Sequence, residues 1–336
     1  MGYKIKKWYL ALLEKEKKNL FENAFYCFLC FLSFIYAGLV SLRNVLYSLK
    51  AIPSYDVDAK IVSVGNISWS GSGKTPLSIW LHEKFSSKFK VAVLRRGYGE
   101  DEGSLLKERL GDVFSSPDRY KLAKKLQSSF GMFVLDDGFQ YRRLKRDVNI
   151  VIMGAREFRK KHRLIPADFF REPISALKRA DIVVLNHSQE MKEPLETKDF
   201  IMRLVPDVKV YLSNYKFKKF LDLNGEEIDR DFFKGKRIAA LAGIGYPQGF
   251  FRKLKETGLD IIREIIYPDH YELGESEFAV LEDDLIKEGI DVLMITQKDK
   301  YHLPCKESRI RIYIMEIDIW FDNENDFIKE INTKLT

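Results

Sequence analysis

Residues 60–81 read KIVSVGNISWSGSGKTPLSIWL, and this stretch decides the fold. The β-branched run at 61–64 predicts a buried strand. A loop of Gly, Ser and Asn follows, then Gly73, Lys74 and Thr75, then a helix with Pro76 near its first turn. Strand, glycine-rich loop, Gly-Lys-Thr and helix, in that order, are the context that a phosphate-binding P-loop requires. Backbone N–H groups of Gly71, Ser72 and Gly73, with the helix N-terminus, can surround phosphate oxygens. Lys74 would reach the β- and γ-phosphates of ATP, and Thr75 would offer its hydroxyl to Mg²⁺. The strict pattern G-x-x-x-x-G-K-[ST] would begin at position 68, which is Ser68; the glycines sit instead at Gly65, Gly71 and Gly73. The structural alternative for the stretch is a surface turn between a strand and a helix.

With 336 residues the chain can bury one large core or two modest ones. Its formal net charge of +7 suits an anionic partner, such as a membrane surface or a phosphorylated ligand, and suits equally a basic surface with no particular partner. No zinc-finger spacing or RNP-like motif points to nucleic acid, and no protein partner is inferred. Cys27, Cys30 and Cys305 make no disulfide framework. Cys27 and Cys30 form a C-x-x-C inside an apolar segment without His or acidic neighbours, so they read as small hydrophobes. A reducing, cytoplasmic setting fits this usage and the use of ATP.

Lys4, Lys6, Lys7 and Trp8, then Lys15, Lys17 and Lys18, precede an uncharged run at 24–42, AFYCFLCFLSFIYAGLVSL. As a helix this run would reach roughly 28 Å, close to the thickness of a bilayer core. A cleavable signal peptide is disfavoured, because the run starts late and lacks a small-residue cleavage site. The preceding lysines would hold the N-terminus inside, so a single crossing would carry the P-loop away from ATP. The expectation is therefore a helix lying in, or dipping into, the cytoplasmic leaflet, with Lys and aromatic side chains at the headgroups. The attachment would be peripheral or monotopic, at the cytoplasmic face of the membrane. A buried core helix is the alternative. Residues 43–50 continue the helix toward Pro53.

From position 61 onward strands and helices alternate, which argues an α/β fold with a parallel sheet. Strands are expected at 90–94, 132–135, 148–153, 181–186, 208–215, 235–243, 290–296 and 310–317. The fold class is a P-loop NTPase-like parallel-sheet core with a second, smaller α/β lobe and an N-terminal membrane-associated helix. The expected organisation is a basic and hydrophobic helical segment at 1–58, a P-loop core at 59–207, a connector strand at 208–220, a second α/β lobe at 221–305, and a return strand with a terminal helix at 306–336.

Asp136 and Asp137 close the apolar strand MFVL and precede Gly138. P-loop proteins hold Mg²⁺ with an acidic residue at such a strand end, directly or through water. The alternative is an acidic turn. Positions 138–147 carry Arg142, Arg143, Lys145 and Arg146, able to meet a phosphorylated substrate, the nucleotide or plain solvent. His270, in Tyr-Pro-Asp-His-Tyr, could orient a carboxylate or shuttle a proton; taken alone it reads rather as a structural histidine.

The strings VGNISWSGSGKTP, RRGYG, LDDGFQYRRLKRDVNIV, RLIPADFFREP, RADIVVLN, LAGIGYPQGFF, YPDHY and ITQKD occur in this order. Together they resemble the tetraacyldisaccharide 4'-kinase family of lipid A biosynthesis, over about residues 40–305. The resemblance implies transfer of the γ-phosphoryl group of ATP to the 4'-hydroxyl of a tetraacylated glucosamine disaccharide 1-phosphate, giving lipid IVA. It matches Lys74 and Thr75 to the family's P-loop, Asp136 and Asp137 to its metal-side acids, and His270 to the histidine of a catalytic Asp–His dyad. Arg96 matches the arginine of an S-R-G-Y motif whose serine is here Arg95. Arg119, Arg171 and Glu172 match polar positions that line the site. The base lies in a family G-D-E-P motif, normally some twenty residues or more beyond S-R-G-Y. Here that connection is nearly absent. Asp101 and Glu102 align with the motif's acidic pair, with Glu100 in place of its glycine and Gly103 in place of its proline, and Asp101 becomes the expected base. A solvated acidic loop is the alternative for this cluster. Two other readings of the chain remain at this point: a membrane-associated P-loop switch acting on a protein partner, and a soluble small-molecule kinase whose apolar helix is core.

Overall fold

Twelve strands share one sheet in the computed structural model, which describes residues 8–9, 11–13, 15, 17–69, 71–97, 100–154, 157, 162–269, 271–304 and 308–336, with the backbone alone at 100 and 101. The first helix, α1 (Leu20–Ser48), is started by Asn19. The Asn19 side chain accepts from the Glu22 N–H, and the Glu22 carboxylate accepts from the Asn19 N–H, each at 2.8 Å. This capping box satisfies two orphan donors at the entry to the apolar run. Leu29, Ser33 and Val40 turn inward, and the Ser33 hydroxyl donates to the Leu164 carbonyl at 2.7 Å. Phe21, Phe28, Phe31, Phe34, Leu39 and Leu42 stay exposed.

The first half of the sheet is parallel. β1 (Lys60–Gly65) lies between β4 (Met132–Leu135) and β5 (Val148–Gly154). β2 (Val91–Arg95) and β3 (Val113–Ser115) extend one flank, and β6 (Ile182–Asn186) the other. Every residue of β2, β4, β5 and β6 is buried, as near-continuous Val/Ile/Leu runs require when helices cover both faces. Helices α2 (Lys74–Phe85), α3 (Glu100–Leu110), α4 (Arg119–Leu126) and α5 (Pro194–Leu204) belong to this half.

The strand expected at 208–215 is longer, β7 (Lys209–Leu221), and it changes partners along its length. Residues 209–212 run parallel to β6, whereas 213–221 pair antiparallel with β12 (Arg311–Phe321). β8 (Glu227–Ile228) adds to the far end of β7. β9 (Ile238–Ala242), β10 (Ile261–Ile266) and β11 (Val292–Thr296) then run parallel to β12, flanked by α6 (Pro247–Glu256) and α7 (Glu275–Lys287). This arrangement carries the second half past the carboxyl ends of the first and turns it around. The carboxyl ends of β9 and β11 therefore point back toward those of β1, β4 and β6. Loops at carboxyl ends of parallel strands are where α/β proteins place ligands, and here two such sets share one cleft. The chain finally returns as α8 (Glu324–Leu335), where Phe327 and Ile331 pack with Phe321 of β12 against Trp80 and Leu81 of α2.

Candidate active site

The P-loop is shaped by close packing at both ends. A Cβ at Gly65 would collide with Phe139. Gly73 has φ +98° and closes the loop in the left-handed region; a Cβ there would strike the Tyr215 hydroxyl and the Asn186 amide. Asn186, at the end of β6, donates to the Ser72 carbonyl at 2.9 Å and to the Tyr215 hydroxyl at 2.9 Å. The departure at Ser68 has a physical reason. Its side chain is buried, and its hydroxyl donates to Glu157 Oε1 at 2.7 Å. Glu157 Oε2 accepts the Gly154 N–H at 2.6 Å, and Asn66 Nδ2 donates to the Ser72 hydroxyl at 2.6 Å. The upstream half of the loop is thus held by side chains.

Lys74 and Thr75 open α2 beneath the loop and line the cleft. Asp136 and Asp137 follow β4. Asp136 is buried and accepts from the Ser78 hydroxyl at 3.0 Å. Burial raises its pKa to about 6; Glu102 and Asp137 add to the rise and Lys74 opposes it. Asp137 adopts φ 50°, an uncommon conformation that Asp tolerates. Burial would raise its pKa as well, but Lys74 and Arg171 outweigh it and hold the carboxyl below its ordinary value. Arg171 Nη1 donates to both Asp137 oxygens, at 3.0 and 3.2 Å, and Lys74 Nζ lies 3.8 Å from Oδ1. Arg119 Nη1 donates to the Asp137 carbonyl at 3.2 Å, with its guanidinium 4.1 Å from the Tyr141 ring centroid. Burial lowers the Arg119 pKa, and exposed Arg96 lowers it further.

The donor set fits Mg²⁺. Thr75, Asp136 and Asp137 offer hard oxygens, and Asp136 is a buried carboxylate whose charged form needs a positive neighbour. Among the described residues no group of three His, Cys, Asp or Glu gathers into a cage. A Mg²⁺ ion held here would complete its shell with phosphate oxygens and water.

Glu102 stands in the first turn of α3, which is helix where a solvated loop was the alternative. Its Oε1 is 3.8 Å from Lys298 Nζ, and Lys298 also binds Asp269 Oδ1 at 2.7 Å. Lys298 therefore joins the acidic turn to the residue preceding His270. His270 itself, and the side chains of Asp101 and Glu100, lie outside the described residues. Glu172 is fully buried, accepting from Arg43 at 3.2 Å, Asn44 at 3.0 Å and Arg179 at 2.5 Å; it pins the end of α1 to the sheet.

The basic run at 142–146 is largely absorbed by the fold. Arg146 is pulled down to about 9 by burial and neighbouring arginines, and it donates to the carbonyls of Phe139 and Tyr141. Arg143 pairs with Asp118 at 2.9 Å, and Arg142 donates to the Asn44 carbonyl at 2.9 Å.

One group facing the cleft had no signal in the sequence. Glu190 binds His187 Nδ1 at 3.3 Å and Arg252 Nη2 at 2.5 Å. Burial alone would raise its pKa, yet hydrogen bonds from His187, Tyr246 and Arg252 bring it to about 2. The His187 ring meets Tyr215 and Tyr246 edge-on, at 5.2 and 5.1 Å. His187 and Glu190 belong to the turn after β6, Tyr215 to β7, Tyr246 to the turn after β9 and Arg252 to α6, so only the folded topology unites them. Nearby, a Cβ on Gly71 would lie 3.5 Å from Gly245 Cα, which places the turn after β9 directly against the P-loop.

A stability prediction follows from Asp136. Its folded pKa is raised above the unfolded value, so its contribution is fully present below about pH 4 and lost as pH rises through about 6. In nucleotide-free protein, Asp136→Asn should therefore raise stability near pH 7.5 by up to about 3 kcal/mol. The gain should vanish near pH 4. Urea unfolding at both pH values checks this; equal gains at both would contradict it.

A glycine-rich loop ahead of a helix, a lysine facing a strand-end acid and a two-sided cleft define a P-loop phosphotransferase. The model of the tetraacyldisaccharide-1-P 4'-kinase family matches residues 25–102 and 100–336, and the chain belongs to that family. Tetraacyldisaccharide 4'-kinase of Halothermothrix orenii is 29% identical, across 99% of this chain and 98% of its own length. That of Syntrophotalea carbinolica is 30% identical, across 93% and 95%. A crystal structure of the Aquifex aeolicus member, described as an "apo" form in complex with ATP, superposes with a TM-score of 0.70 at 27% identity, covering 91% of this chain and 98% of that one. The chain is accordingly an ATP-dependent, Mg²⁺-using kinase of lipid A biosynthesis, and the switch reading is not favoured.

Proposed function

We propose that the cleft performs transfer of the γ-phosphoryl group from ATP to the 4'-hydroxyl of a tetraacylated disaccharide 1-phosphate, with the following division of labour. The N–H groups of residues 71–73 and the Lys74 ammonium hold the β- and γ-phosphates. Thr75, Asp136 and Asp137 hold Mg²⁺, which when bound neutralises phosphate oxygen charge. Asp101 accepts the proton of the attacking hydroxyl, oriented by His270, because a sugar hydroxyl is a poor nucleophile at neutral pH. Arg96, Arg119 and Arg171 stand on the acceptor side and supply positive charge where negative charge develops on the phosphoryl oxygens. Glu102, tied to Lys298, belongs to the same side; Glu172 supports it from below by fixing Arg43 and Arg179. The second half of the sheet, beyond β7, acts as a separate lobe that brings Lys298 and Asp269 over the nucleotide.

The observation that carries this reading is convergence. Lys74 of the P-loop lies 3.8 Å from Asp137, and Glu102 lies 3.8 Å from Lys298, so nucleotide-binding and acceptor-side groups meet in one cleft. The test is ATP- and Mg²⁺-dependent incorporation of labelled phosphate into the tetraacyl disaccharide in detergent micelles. Incorporation at the 4'-position is expected; none would overturn the reading.

The acceptor carries four acyl chains, so the enzyme must meet it at a bilayer. Helix α1 supplies the means: its most apolar window has mean hydropathy 2.1 and is only 17% buried. We place it in the cytoplasmic leaflet of the inner membrane, its exposed Phe28, Phe31 and Phe34 among acyl chains. Replacing these three by Ser should abolish co-sedimentation with anionic vesicles, while turnover of micelle-dispersed acceptor stays within about threefold. Unchanged co-sedimentation would mean that α1 is not the anchor.

A further inference from the structure

The family model matches this chain in two pieces that meet at 100–102, where α3 begins. Only residues 96–99 connect β2 to α3. So short a connection fixes where α3 starts, and the first turn carries positions 101 and 102, but it does not fix the direction in which the helix runs. The last turn of the helix shows what does. Arg109 Nε donates to Glu83 of α2 at 2.9 Å, and its Nη1 lies 2.9 Å from Glu316 of β12. Both Arg109 and Glu316 are largely shielded from water, with side chains 14% and 7% exposed. An ion pair so placed is screened far less than a surface pair. The preceding residue, Glu108, reaches the turn after β11, accepting from Lys300 at 2.7 Å and from the Tyr301 hydroxyl at 2.5 Å.

Two consecutive side chains thus tie one helix to the P-loop helix, to β12 beside β7, and to the opposite side of the cleft. Glu102, Leu105 and Arg109 all line the cleft, and their i, i+3, i+7 spacing puts them on one helical face. Turning or sliding α3 at Arg109 therefore moves Glu102 as well.

We infer that Arg109 is a positioning residue for phosphoryl transfer: held by Glu83 and Glu316, it sets where the acid-bearing first turn of α3 stands relative to the P-loop. This rests on the reaction proposed above. Glu316 also binds Lys218 at 3.0 Å, so losing Arg109 leaves that carboxylate with a cation.

The experiment compares Arg109→Met, Arg109→Lys and Glu316→Gln with the wild-type full chain. For each, kcat, KM for ATP, KM for the acceptor, and amide hydrogen exchange of 102–110 are measured. Arg109→Met should lower kcat about 10- to 100-fold, the size of effect expected when a reacting group is misplaced by a fraction of an ångström to an ångström. KM for ATP should stay within about twofold, and exchange in α3 should rise at least about tenfold with α2 unchanged. Arg109→Lys, which can still reach Glu316, should recover most of kcat. Combining Arg109→Met with Glu316→Gln should cost little more than Arg109→Met alone. A kcat within twofold of wild type would overturn the inference. So would a loss in which kcat, KM for ATP and exchange of α2 all change together, since that marks a plain folding defect. Were the wild-type chain inert toward the acceptor, the proposed reaction and the catalytic half of this inference would fall together, while unchanged exchange in α3 would separately refute the fastening.

Discussion

Lys74→Met should lower kcat/KM by about 10³-fold with the melting temperature moved by no more than a few degrees. The two effects separate because Lys74 does little for the unliganded fold. Its one ion pair among the described residues is the long contact to Asp137 at 3.8 Å, and Asp137 keeps Arg171 at 3.0 Å when the lysine is gone. Phosphoryl transfer, in contrast, depends on neutralising charge that spreads over the γ-phosphate oxygens in the transition state. Removing one fixed, pre-aimed donor from such a site costs about 10²–10³-fold in turnover, and a full positive charge in a sheltered cleft sits at the upper end of that range. The measurement is steady-state kinetics with both substrates, together with a thermal melt. A melting temperature that falls in step with activity would show that Lys74 serves the fold.

Asp101→Asn should reduce turnover by about 10²–10⁴-fold, the range for general-base assistance, while ATP affinity stays within about twofold. The backbone places position 101 in the first turn of α3, beside Glu102, which lines the cleft. Glu102 stands 3.8 Å from Lys298, on the side of the turn that meets Asp269; Glu102→Gln should cost less than Asp101→Asn. Unchanged turnover in Asp101→Asn would move the base to Glu100 or Glu102. Pre-steady-state bursts with ATP bound first separate the chemical step from binding.

The parts of this molecule legible in its sequence are those that local chemistry dictates. Buried parallel strands announce themselves as short β-branched runs, so β1, β4, β5 and β6 could be placed before the fold was known. The P-loop is a local motif, and Asp136 and Asp137 are marked by ending such a strand. Half-exposed β10, IIREII, alternates half-buried and exposed residues over only six positions and gave no comparable signal; β3, with three residues, gave none. The reversal of the second half-sheet was hidden for a different reason. It depends on β7 exchanging a parallel partner for an antiparallel one at 212–213, and no residue pattern within a strand encodes which neighbour it will meet.

The same distinction separates the site residues. Lys74, Asp137 and Arg171 were named from motifs, and the two cations both stand within ion-pair reach of Asp137. Glu172 came from the adjoining position of the same motif, yet the fold turns it the opposite way, into a buried cluster under α1. The two residues sit at a bend, with both N–H groups on the Ile67 carbonyl, and a motif does not say which of two neighbouring side chains faces the ligand. The cluster of Glu190, His187, Tyr246 and Arg252 had no linear signature, because its members lie on two separate stretches of chain, 187–190 and 246–252.

The central claim is that the turn ending at Lys74 grips a triphosphate at the meeting point of two sets of strand ends. A crystal structure with a non-hydrolysable ATP analogue and Mg²⁺ tests it most directly. The account predicts the β- and γ-phosphates against the N–H groups of residues 71–75, with Lys74 on their oxygens and Asp136 and Asp137 on the metal side. A triphosphate bound elsewhere, with that turn left empty, would contradict it.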